Sequence, residues 1–389
     1  MSKKRFLISE ILSPEKKVIL QAIQVDQSCD TWGWKKEKNN INWRLVTDVG
    51  IRHEVLPLVY KYLKRQNKRN VPQEEINKQY SLFLKNVGRN IHLTQKLLNI
   101  LRLLSDHEYE AVPFKGPVLA IQAYGDVGFR VFCDLDILIK RRDSSHIYDL
   151  MVSQGYLPAK PGIEKMKTVW RRFGRNFEFY DKNSIIDFHQ QISQGPRFLS
   201  LMETWDTLPV ELNNQSVPSL DIHDTILMLS LHGTHHGWNL LKMVSDLAHL
   251  IHSNENDIIW EVLIKKARGM GSLRMLMIGL LLSHDFCGLN IPPIIQDLIQ
   301  RDKKIERLAK HFSNEALKMK QSHRLPISAI PRSLDTFFYQ FKYLIYYLFN
   351  PTNLDVLTVR LPSFLYPVYF IIRPVRLAFN TVKEAVNKI

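Results

Sequence analysis

The sequence contains little cysteine and little glycine. Three cysteines, Cys29, Cys133 and Cys287, are too few and too scattered for a disulfide framework or a zinc knuckle. Sixteen glycines among 389 residues are typical of a helix-rich protein. These shortages exclude the small disulfide-stabilised folds, and they suit a protein of a reducing compartment.

Long hydrophobic segments, internal repeats and low-complexity tracts are also missing. No stretch reaches the ~18 apolar residues that a membrane-spanning helix needs, and the nearest one, residues 361–372, is interrupted by Pro362 and Pro367. The basic start, Met1–Arg5, is not followed by the apolar segment of a signal peptide. We therefore predict a cytoplasmic protein without a transmembrane segment.

Acidic residues are outnumbered, because 38 Asp and Glu against 53 Lys and Arg give a net charge of +15. Residues 301–389 hold 15 basic and six acidic side chains, so +9 of the excess lies there. Basic residues among aromatic ones can contact RNA or an anionic membrane face. Alternatively, the aromatic residues form a helical core with solvated lysines around it, and we favour this second interpretation. The aromatic residues concerned are Phe337, Phe338, Tyr339, Tyr343, Tyr346, Tyr347 and Phe349.

The remaining composition is that of a globular protein with more than one domain. A hydrophobic content of 45% and a charged content of 23% are globular values, and 389 residues suffice for two or three domains. We predict a helical N-terminal region over 1–105, a mixed-sheet core over 106–220 and a helical, basic C-terminal domain over 221–389. An apolar stripe at helical spacing supports the N-terminal helices. Its members are Leu82, Val87, Ile91, Leu93, Leu97, Leu98 and Leu101.

Two aspartates, Asp134 and Asp136, begin an apolar segment that continues as Ile137-Leu138-Ile139 and is typical of a buried strand. Side chains at i and i+2 of a strand point to the same face, so the two carboxylates converge. Like charges held this close are costly unless a cation lies between them. The pair therefore indicates a divalent-metal site for phosphate chemistry. A solvated strand end gives the same pattern, and a glycosyltransferase also uses an Asp-x-Asp pair.

A lysine and a glycine upstream of this pair form a candidate phosphate-binding turn. Lys115-Gly116 follows a short strand predicted over 110–114, and Pro117 suits the first turn of a helix to about Tyr124. A helix N-terminus offers backbone N–H donors and a positive dipole end, and the lysine adds an ammonium group. Glycine at this position allows a phosphate to approach the backbone closely.

A third acidic residue, Asp187, lies on the second of two strands predicted over 177–181 and 184–189. Strand alternation places Asp187 on one face, so its carboxylate can face the site on a neighbouring strand. The same alternation directs Cys133 away from the acidic pair. We therefore predict that Cys133 is a core residue rather than a catalytic one.

Three histidines, His232, His235 and His236, lie close together in a helical segment. Histidines at i and i+4 share a helix face and can bind a metal, but the glutamate of a His-Glu-x-x-His motif is missing. We favour a structural cluster at a helix end, with Asp246 as a hydrogen-bond partner.

The order of these motifs resembles the nucleotidyltransferase superfamily of DNA polymerase beta. More closely, it resembles the bacterial uncharacterised nucleotidyltransferase family, in which Lys-Gly, Tyr-Gly-Asp, Arg, Asp-x-Asp and Asp-Leu-His elements follow one another. The matching residues are Lys115-Gly116, Tyr124-Gly125-Asp126, Arg130, Asp134 and Asp136, Asp187-Phe188-His189, and then His232, His236, Trp238 and Asp246. Two positions depart from the pattern. Pro117 follows Gly116 where a serine or glycine is usual, and Gln190 follows His189 where an aromatic residue is expected.

The resemblance implies an α+β fold, in which a mixed nucleotidyltransferase sheet is flanked by helical N- and C-terminal regions. It further implies that Asp134, Asp136 and Asp187 are catalytic and bind Mg²⁺, with Mn²⁺ as an alternative. Asp187 either completes a metal site or acts as the general base. Two-metal sites of this kind stabilise the attacking and leaving oxygens together.

The resemblance also implies an NTP as co-substrate, bound through Lys115, Gly116 and Arg130. Lys115 and Arg130 would neutralise charge on the phosphates, and positioning and electrostatics together provide most of the acceleration in such reactions. For Arg130, a purely structural pairing with Asp126 is an equal alternative. The hydroxyl acceptor, whether a small molecule, a glycan intermediate, a peptide or RNA, stays unknown.

Two other functions compete with nucleotidyl transfer. One is a non-catalytic, basic binding module of the same fold that contacts nucleic acid or a membrane surface. The other is a metal-dependent glycosyltransferase, which needs a sugar-nucleotide pocket in a parallel sheet ahead of Asp134. The helical character of the chain before Glu110 argues against the glycosyltransferase.

Overall fold

A computed structural model describes most of the chain. The described residues are 12–28, 31–33, 41–66, 71–159, 176–181, 184–191, 207–318, 329–359 and 361–386. Cys29 and the basic start of the chain lie outside these ranges.

The N-terminal region consists of helices, as predicted. Ser13 caps the first helix by accepting a hydrogen bond from the backbone N–H of Lys16, and Asn42 caps the second by accepting from that of Leu45. The fourth helix is 34 residues long and lies along the sheet. The helices are α1 (Pro14–Ala22), α2 (Trp43–Arg52), α3 (Leu56–Arg65) and α4 (Gln73–Asp106).

The inward face of α4 differs in part from the predicted apolar stripe. Ile91 is 53% exposed, so its place in the stripe is wrong, whereas Asn86 and Asn90 are buried. Both asparagine side chains donate hydrogen bonds to the backbone oxygen of Arg130, over 3.1 and 2.8 Å. The polar positions of α4 therefore hold the loop that carries Arg130, while Leu93, Leu97 and Leu98 remain in the core as predicted.

The sheet is mixed, and its strands lie in the order β1-β2-β5-β4-β3. The central strands β2 and β5 are parallel, and the other neighbours in the sheet are antiparallel. A separate antiparallel hairpin is formed by β6 and β7. The strands are β1 (Ala111–Pro113), β2 (Asp134–Ile139), β3 (Leu157–Pro158), β4 (Phe177–Asp181), β5 (Ser184–His189), β6 (Thr207–Leu212) and β7 (Gln215–Leu220).

Two helices connect the first strands of the sheet. The helix α5 (Gly116–Tyr124) follows β1, as predicted from Pro117, and ends at Gly125, which has a left-handed conformation. The helix α6 (Ser144–Ser153) follows β2. The predicted strands around residues 110–114, 134–139, 177–181 and 184–189 are all confirmed.

The C-terminal part is helical from Ile222 onwards. Asp221 caps its first helix by accepting from the backbone N–H groups of His223 and Asp224. No helix in the described part of the chain is both long and apolar enough to cross a membrane. The helices are α7 (Ile222–His235), α8 (Leu241–Ser253), α9 (Trp260–Gly269), α10 (Leu273–Cys287), α11 (Pro293–Arg301), α12 (Lys303–Ala316), α13 (Ala329–Arg332), α14 (Phe337–Phe349), α15 (Asn353–Thr358) and α16 (Tyr369–Val386).

The two faces of β2 belong to two different hydrophobic clusters. Leu135 and Ile137 pack in a cluster with α4 and α6, whereas Leu138 packs with Phe114 and the helices α7, α8 and α10. The α+β class with helical regions on both sides of a mixed sheet is thereby confirmed. Both clusters contain residues from each side of the expected borders at 105/106 and 220/221, and the division into three domains stays a prediction.

Two further predictions are wrong, one about Cys133 and one about the aromatic residues of α14. Cys133 is exposed rather than part of the core, because β2 begins at Asp134 and strand alternation does not extend to the preceding residue. Of the residues in α14, all of which the structure describes, only Tyr343 is buried, and Phe337 is 78% exposed. The favoured aromatic core in this region is therefore not formed by α14.

Candidate active site

Two carboxylates meet at the centre of the sheet because β2 and β5 run parallel side by side. Asp136 on β2 lies opposite Asp187 on β5. The imidazole of His189 lies between them, with its Nε2 atom 2.9 Å from Asp136 Oδ1 and 3.0 Å from Asp187 Oδ2. Ligand atoms of these three residues all lie within 4.8 Å of one another. The structure thus places Asp187 beside β2, and its catalytic role stays a prediction.

His189 is held in place on three sides. Its Nδ1 atom lies 2.6 Å from the side-chain amide of Asn176, and its ring meets the edge of Phe114 at 5.0 Å. Burial lowers the pKa of His189, but the charge of Asp187 and the hydrogen bonds to both aspartates raise it to about 9. The two carboxylates therefore favour the protonated form of the ring.

Asp136 and Asp134 differ in electrostatic environment although they share a strand face. Burial raises the pKa of the Asp136 carboxyl, but Lys115 and the hydrogen bond from His189 outweigh burial and hold this pKa well below its usual range. Burial and the charge of Asp136 raise the pKa of Asp134. Asp134 therefore carries the like-charge repulsion that a bound cation would relieve.

Asp134 lies beside the three-residue group rather than inside it. Its side chain lines the same pocket as that of Asp136, but it does not belong to the group formed by Asp136, Asp187 and His189. The predicted trio of aspartates is thus close together on adjacent strands. The three residues whose ligand atoms lie closest together are Asp136, Asp187 and His189, so His189 stands where the sequence predicted Asp134.

Lys115 and Gly116 form the turn between β1 and α5. The Nζ atom of Lys115 lies 3.5 Å from Asp136 Oδ1, so the lysine charge is directed at the acidic cluster. Gly116 has φ +54°, a left-handed conformation that favours glycine, and a Cβ there would lie 3.5 Å from the backbone oxygen of Asp134. The turn therefore places both the ammonium group and the N-terminus of α5 next to the start of β2.

Arg130 is buried against the C-terminal helices through an ion pair. Its Nε atom donates to Asp246 Oδ2 over 3.0 Å, and the two side chains are 6% and 3% exposed. Tyr124 at the end of α5 donates from its hydroxyl to Asp246 Oδ1 over 2.8 Å. The alternative pairing of Arg130 with Asp126 is wrong, because the Asp126 carboxylate accepts instead from the backbone N–H of Gly128.

The three histidines lie at the end of α7, as predicted. The rings of His232 and His236 have centroids 4.4 Å apart, and none of the three, all of which the structure describes, belongs to a group with metal-binding geometry. Burial, with the charges of Lys115 and His236, lowers the pKa of His232 well below its usual value. The neutral ring of His232 faces the pocket, while Asp246 binds Arg130 and Tyr124 instead of the histidines.

A pocket of about 100 Å³ lies beside Asp134 and Asp136, and Asp187 and His189 are not among its lining residues. It lies between the sheet and the helices α7 and α8, and its polar lining carries both signs of charge. Lys242 from α8 also lines it, and the Lys242 ammonium group bonds to the Glu54 carboxylate and to the backbone oxygen of Val131. The lining residues are Lys115, Arg130, Phe132, Asp134, Asp136, Leu229, His232, Lys242, Met243 and Asp246.

The chemistry of the donor set fits a divalent cation. Oδ1 of Asp187 is buried and has no hydrogen-bond partner among the described residues. Carboxylate oxygens are the ligands that Mg²⁺ and Mn²⁺ prefer. A buried carboxylate oxygen without a partner is costly, and a cation between Asp136 and Asp187 would satisfy it.

Sequence reasoning missed two contributors to this site. His189 appeared only as part of a motif, although its i+2 spacing from Asp187 on a strand places both side chains on one face, by the same rule that pairs Asp134 with Asp136. Lys242 gave no comparable signal, because its place at the pocket depends on how α8 packs against the sheet.

Comparison with known proteins agrees with the site. A family model described as "Uncharacterised nucleotidyltransferase" matches residues 39–288. The chain therefore belongs to the uncharacterised nucleotidyltransferase family, and it is a nucleotidyltransferase.

Among solved structures, the chain is similar to the lincosamide antibiotic adenylyltransferase LnuA in its lincomycin-bound form. That match has 14% sequence identity and a TM-score of 0.30, and it covers 40% of this chain and 94% of the other. No curated protein matches the chain.

Proposed function

We propose that the protein transfers a nucleoside monophosphate from an NTP to a hydroxyl acceptor, with Mg²⁺ or Mn²⁺ as cofactor. The observation that carries this proposal is the placement of Asp136 and Asp187 on adjacent parallel strands, within reach of Lys115. Carboxylates beside a lysine at a helix N-terminus can hold a cation and a polyphosphate together. Membership of the nucleotidyltransferase family supports the reaction class.

Three carboxylates would hold the metal. Asp136 and Asp187 offer carboxylate oxygens within 4.8 Å of each other, and Asp134 offers a further carboxylate from the same strand face as Asp136. When bound, a divalent ion supplies Lewis-acid stabilisation of phosphate charge and lowers the pKa of a bound hydroxyl. Asp187 would alternatively accept the proton of the acceptor hydroxyl, since one of its oxygens has no hydrogen-bond partner in the described structure.

Lys115, Gly116 and Arg130 would bind the phosphates of the NTP. Lys115 lines the pocket with a side chain that is 15% exposed, and Gly116 begins α5 directly after it. Arg130 uses its Nε atom for Asp246 and also lines the pocket, so its positive charge would contribute to neutralising the phosphates. In the reaction, the acceptor oxygen bonds to the α-phosphorus, the bond to the β-phosphate oxygen breaks, and pyrophosphate leaves.

The pocket is too small for an entire nucleotide. Its volume of about 100 Å³ is below the roughly 300–1,000 Å³ of most ligand pockets. We therefore place the phosphates and metal in the pocket, with the nucleoside and the acceptor on its open side. This arrangement leaves room for any of the acceptor classes, whether small molecule, glycan intermediate, peptide or RNA.

The test is a transfer assay with labelled NTPs, Mg²⁺ and a panel of hydroxyl-bearing acceptors. We expect label transfer with pyrophosphate release, and its loss in a variant with Asp134→Ala and Asp136→Ala. A suitable control is Asp224→Asn, because Asp224 is also a buried carboxylate but does not line the pocket. Transfer that survives the double substitution would show that these carboxylates do not carry the reaction.

The glycosyltransferase alternative is disfavoured by the sheet. Ahead of Asp134, the described chain contributes a single strand, β1, which is antiparallel to β2. A parallel sheet with a sugar-nucleotide pocket is therefore not formed by the residues described before the Asp-x-Asp pair. Binding of RNA or a membrane by the basic C-terminal region would be a function separate from nucleotidyl transfer, because no described residue beyond Asp246 lines the pocket.

A further inference from the structure

The helices α14 and α16 present apolar side chains to solvent. On α14, Phe337, Phe341 and Ile345 are 78%, 51% and 42% exposed, and their spacing of four residues places them on one side of the helix. The opposite side of α14 packs on the protein through Tyr343 and Tyr347. The apolar side of α14 therefore points away from the molecule.

The neighbouring helix repeats this arrangement. Ile371, Val375 and Phe379 of α16 are 66%, 64% and 69% exposed and again lie four residues apart. Tyr369 and Arg373 on the other side are buried, and Arg373 donates to the backbone oxygen of Tyr347 in α14 over 3.2 Å. The two helices thus pack side by side, and their outward residues form what we term the C-terminal apolar face.

Such a face is unusual on a protein that is otherwise well packed. Large contiguous apolar patches on a protein surface mark contacts with another protein or with a membrane. The composition here is Phe, Ile, Leu and Val, with one charged residue in α14, Lys342. RNA-binding surfaces combine stacking aromatics with a dense basic groove, so this face does not suit RNA.

The charge around the face selects between the remaining partners. From residue 336 to residue 380 the sequence contains four basic residues and one acidic residue, Asp355. Asp355 is fully buried and accepts hydrogen bonds from Arg373 and Arg376. The face therefore presents no carboxylate to its partner.

Positive charge lies on the two helices themselves. Lys342 of α14 is exposed and follows Phe341 directly, and Arg376 of α16 follows Val375 and is partly exposed. These two residues form the basic rim of the C-terminal apolar face. An apolar face with a basic rim is the arrangement by which interfacial helices bind anionic membranes.

We propose that the C-terminal apolar face docks on an anionic lipid membrane surface. The exposed Phe, Ile and Val side chains enter the boundary between headgroups and acyl chains, and the basic rim contacts the headgroups. Docking is independent of nucleotidyl transfer, since none of these residues lines the pocket.

The test is co-sedimentation of the full chain with vesicles of phosphatidylcholine alone or mixed with phosphatidylglycerol. We expect binding to the anionic vesicles, weakened at least about tenfold by Phe341→Ser with Ile345→Ser, because burial of such side chains provides the affinity. The matched control is Leu84→Ser with Ile91→Ser on α4, where the two apolar side chains are 47% and 53% exposed. That control is expected to bind like the wild type, and circular dichroism verifies that all variants are folded.

A second arm tests the basic rim and the competing partners. Charge reversal by Lys342→Glu should weaken binding to anionic vesicles and reduce its dependence on salt. Vesicle binding that is unchanged by the Phe341 and Ile345 substitutions would overturn the proposal. Binding of an RNA oligonucleotide without vesicle binding would overturn it as well, as would a dimer in light scattering that these substitutions convert to a monomer.

Discussion

Asp246 holds Arg130 at the pocket, and its removal gives a sharp test of how the site is built. The carboxylate accepts from Arg130 Nε over 3.0 Å and from the Tyr124 hydroxyl over 2.8 Å. We consider the substitution Asp246→Leu, which replaces the carboxylate with an apolar side chain that is also branched at Cγ. Arg130 then remains buried, at 6% exposure, without its carboxylate partner.

The expected cost follows from burial. Removing one partner of a buried ion pair costs roughly 3–5 kcal/mol, because the remaining charge is left without compensation. Tyr124 contributes less to this cost, since its hydroxyl also lies 3.1 Å from the Ser245 hydroxyl. Replacing both partners, Asp246→Leu with Arg130→Met, removes the stranded charge and is expected to cost much less than the sum of the single changes.

The measurement is the free energy of unfolding in urea for the wild type, both single variants and the double variant. We expect a coupling energy of about 3 kcal/mol between the two positions. Asp297→Asn serves as the control, because its ion pair with Arg301 is solvent-exposed and should leave the unfolding midpoint nearly unchanged. Additive single effects of less than about 1 kcal/mol each would refute a buried, coupled Arg130–Asp246 pair.

Three further outcomes are expected. Burial and neighbouring positive charge lower the pKa of His53 from 6.5 to about 4. The unfolded chain therefore binds a proton at His53 more tightly than the folded chain does. The contribution of His53 to the free energy of unfolding is complete above pH 6.5 and falls by about 3 kcal/mol towards pH 4. His53→Asn should flatten that slope in urea unfolding between pH 4 and 6.5, and an unchanged slope would contradict the assignment. Gly116→Ala should lower the free energy of unfolding by about 1–2 kcal/mol, because Gly116 has a positive φ. Gly88→Ala, on the open surface of α4, should stabilise the protein instead. Equal effects of the two substitutions in thermal melting would exclude backbone strain at Gly116. Lys115→Gln should weaken NTP binding in calorimetry by about tenfold or more, and unaltered affinity would remove Lys115 from the phosphate site.

The parts of the site that lie close together in the sequence could be predicted. The strand beginning at Asp134, the helix that follows Lys115-Gly116 and the third carboxylate on β5 all follow from side-chain alternation and from helix-start signals. The sequence predicted that Asp187 faces a site on a neighbouring strand, but it did not predict how β2 and β5 are paired. Its parallel register, which puts Asp136 opposite Asp187, is fixed by packing across the whole sheet.

The predictions that were wrong concern residues whose environment depends on tertiary contacts. Arg130 pairs with Asp246, which is 116 residues away along the chain, and local spacing favoured Asp126 instead. Cys133 was expected in the core because the strand was assumed to begin earlier than Asp134. Aromatic residues in α14 have the spacing of a buried helix, and the same pattern arises when an apolar face is left on the surface.

Metal binding at the acidic cluster is the most direct test, because it requires no knowledge of the acceptor. Mn²⁺ binding to the full chain can be followed by electron paramagnetic resonance of the free ion, in the wild type and in Asp136→Asn with Asp187→Asn. We expect the wild type and the Asp224→Asn control to bind Mn²⁺, with Mg²⁺ as a competitor, and the double variant to lose that binding. Equal Mn²⁺ binding by all three proteins would contradict a metal-dependent nucleotidyl-transfer site between β2 and β5.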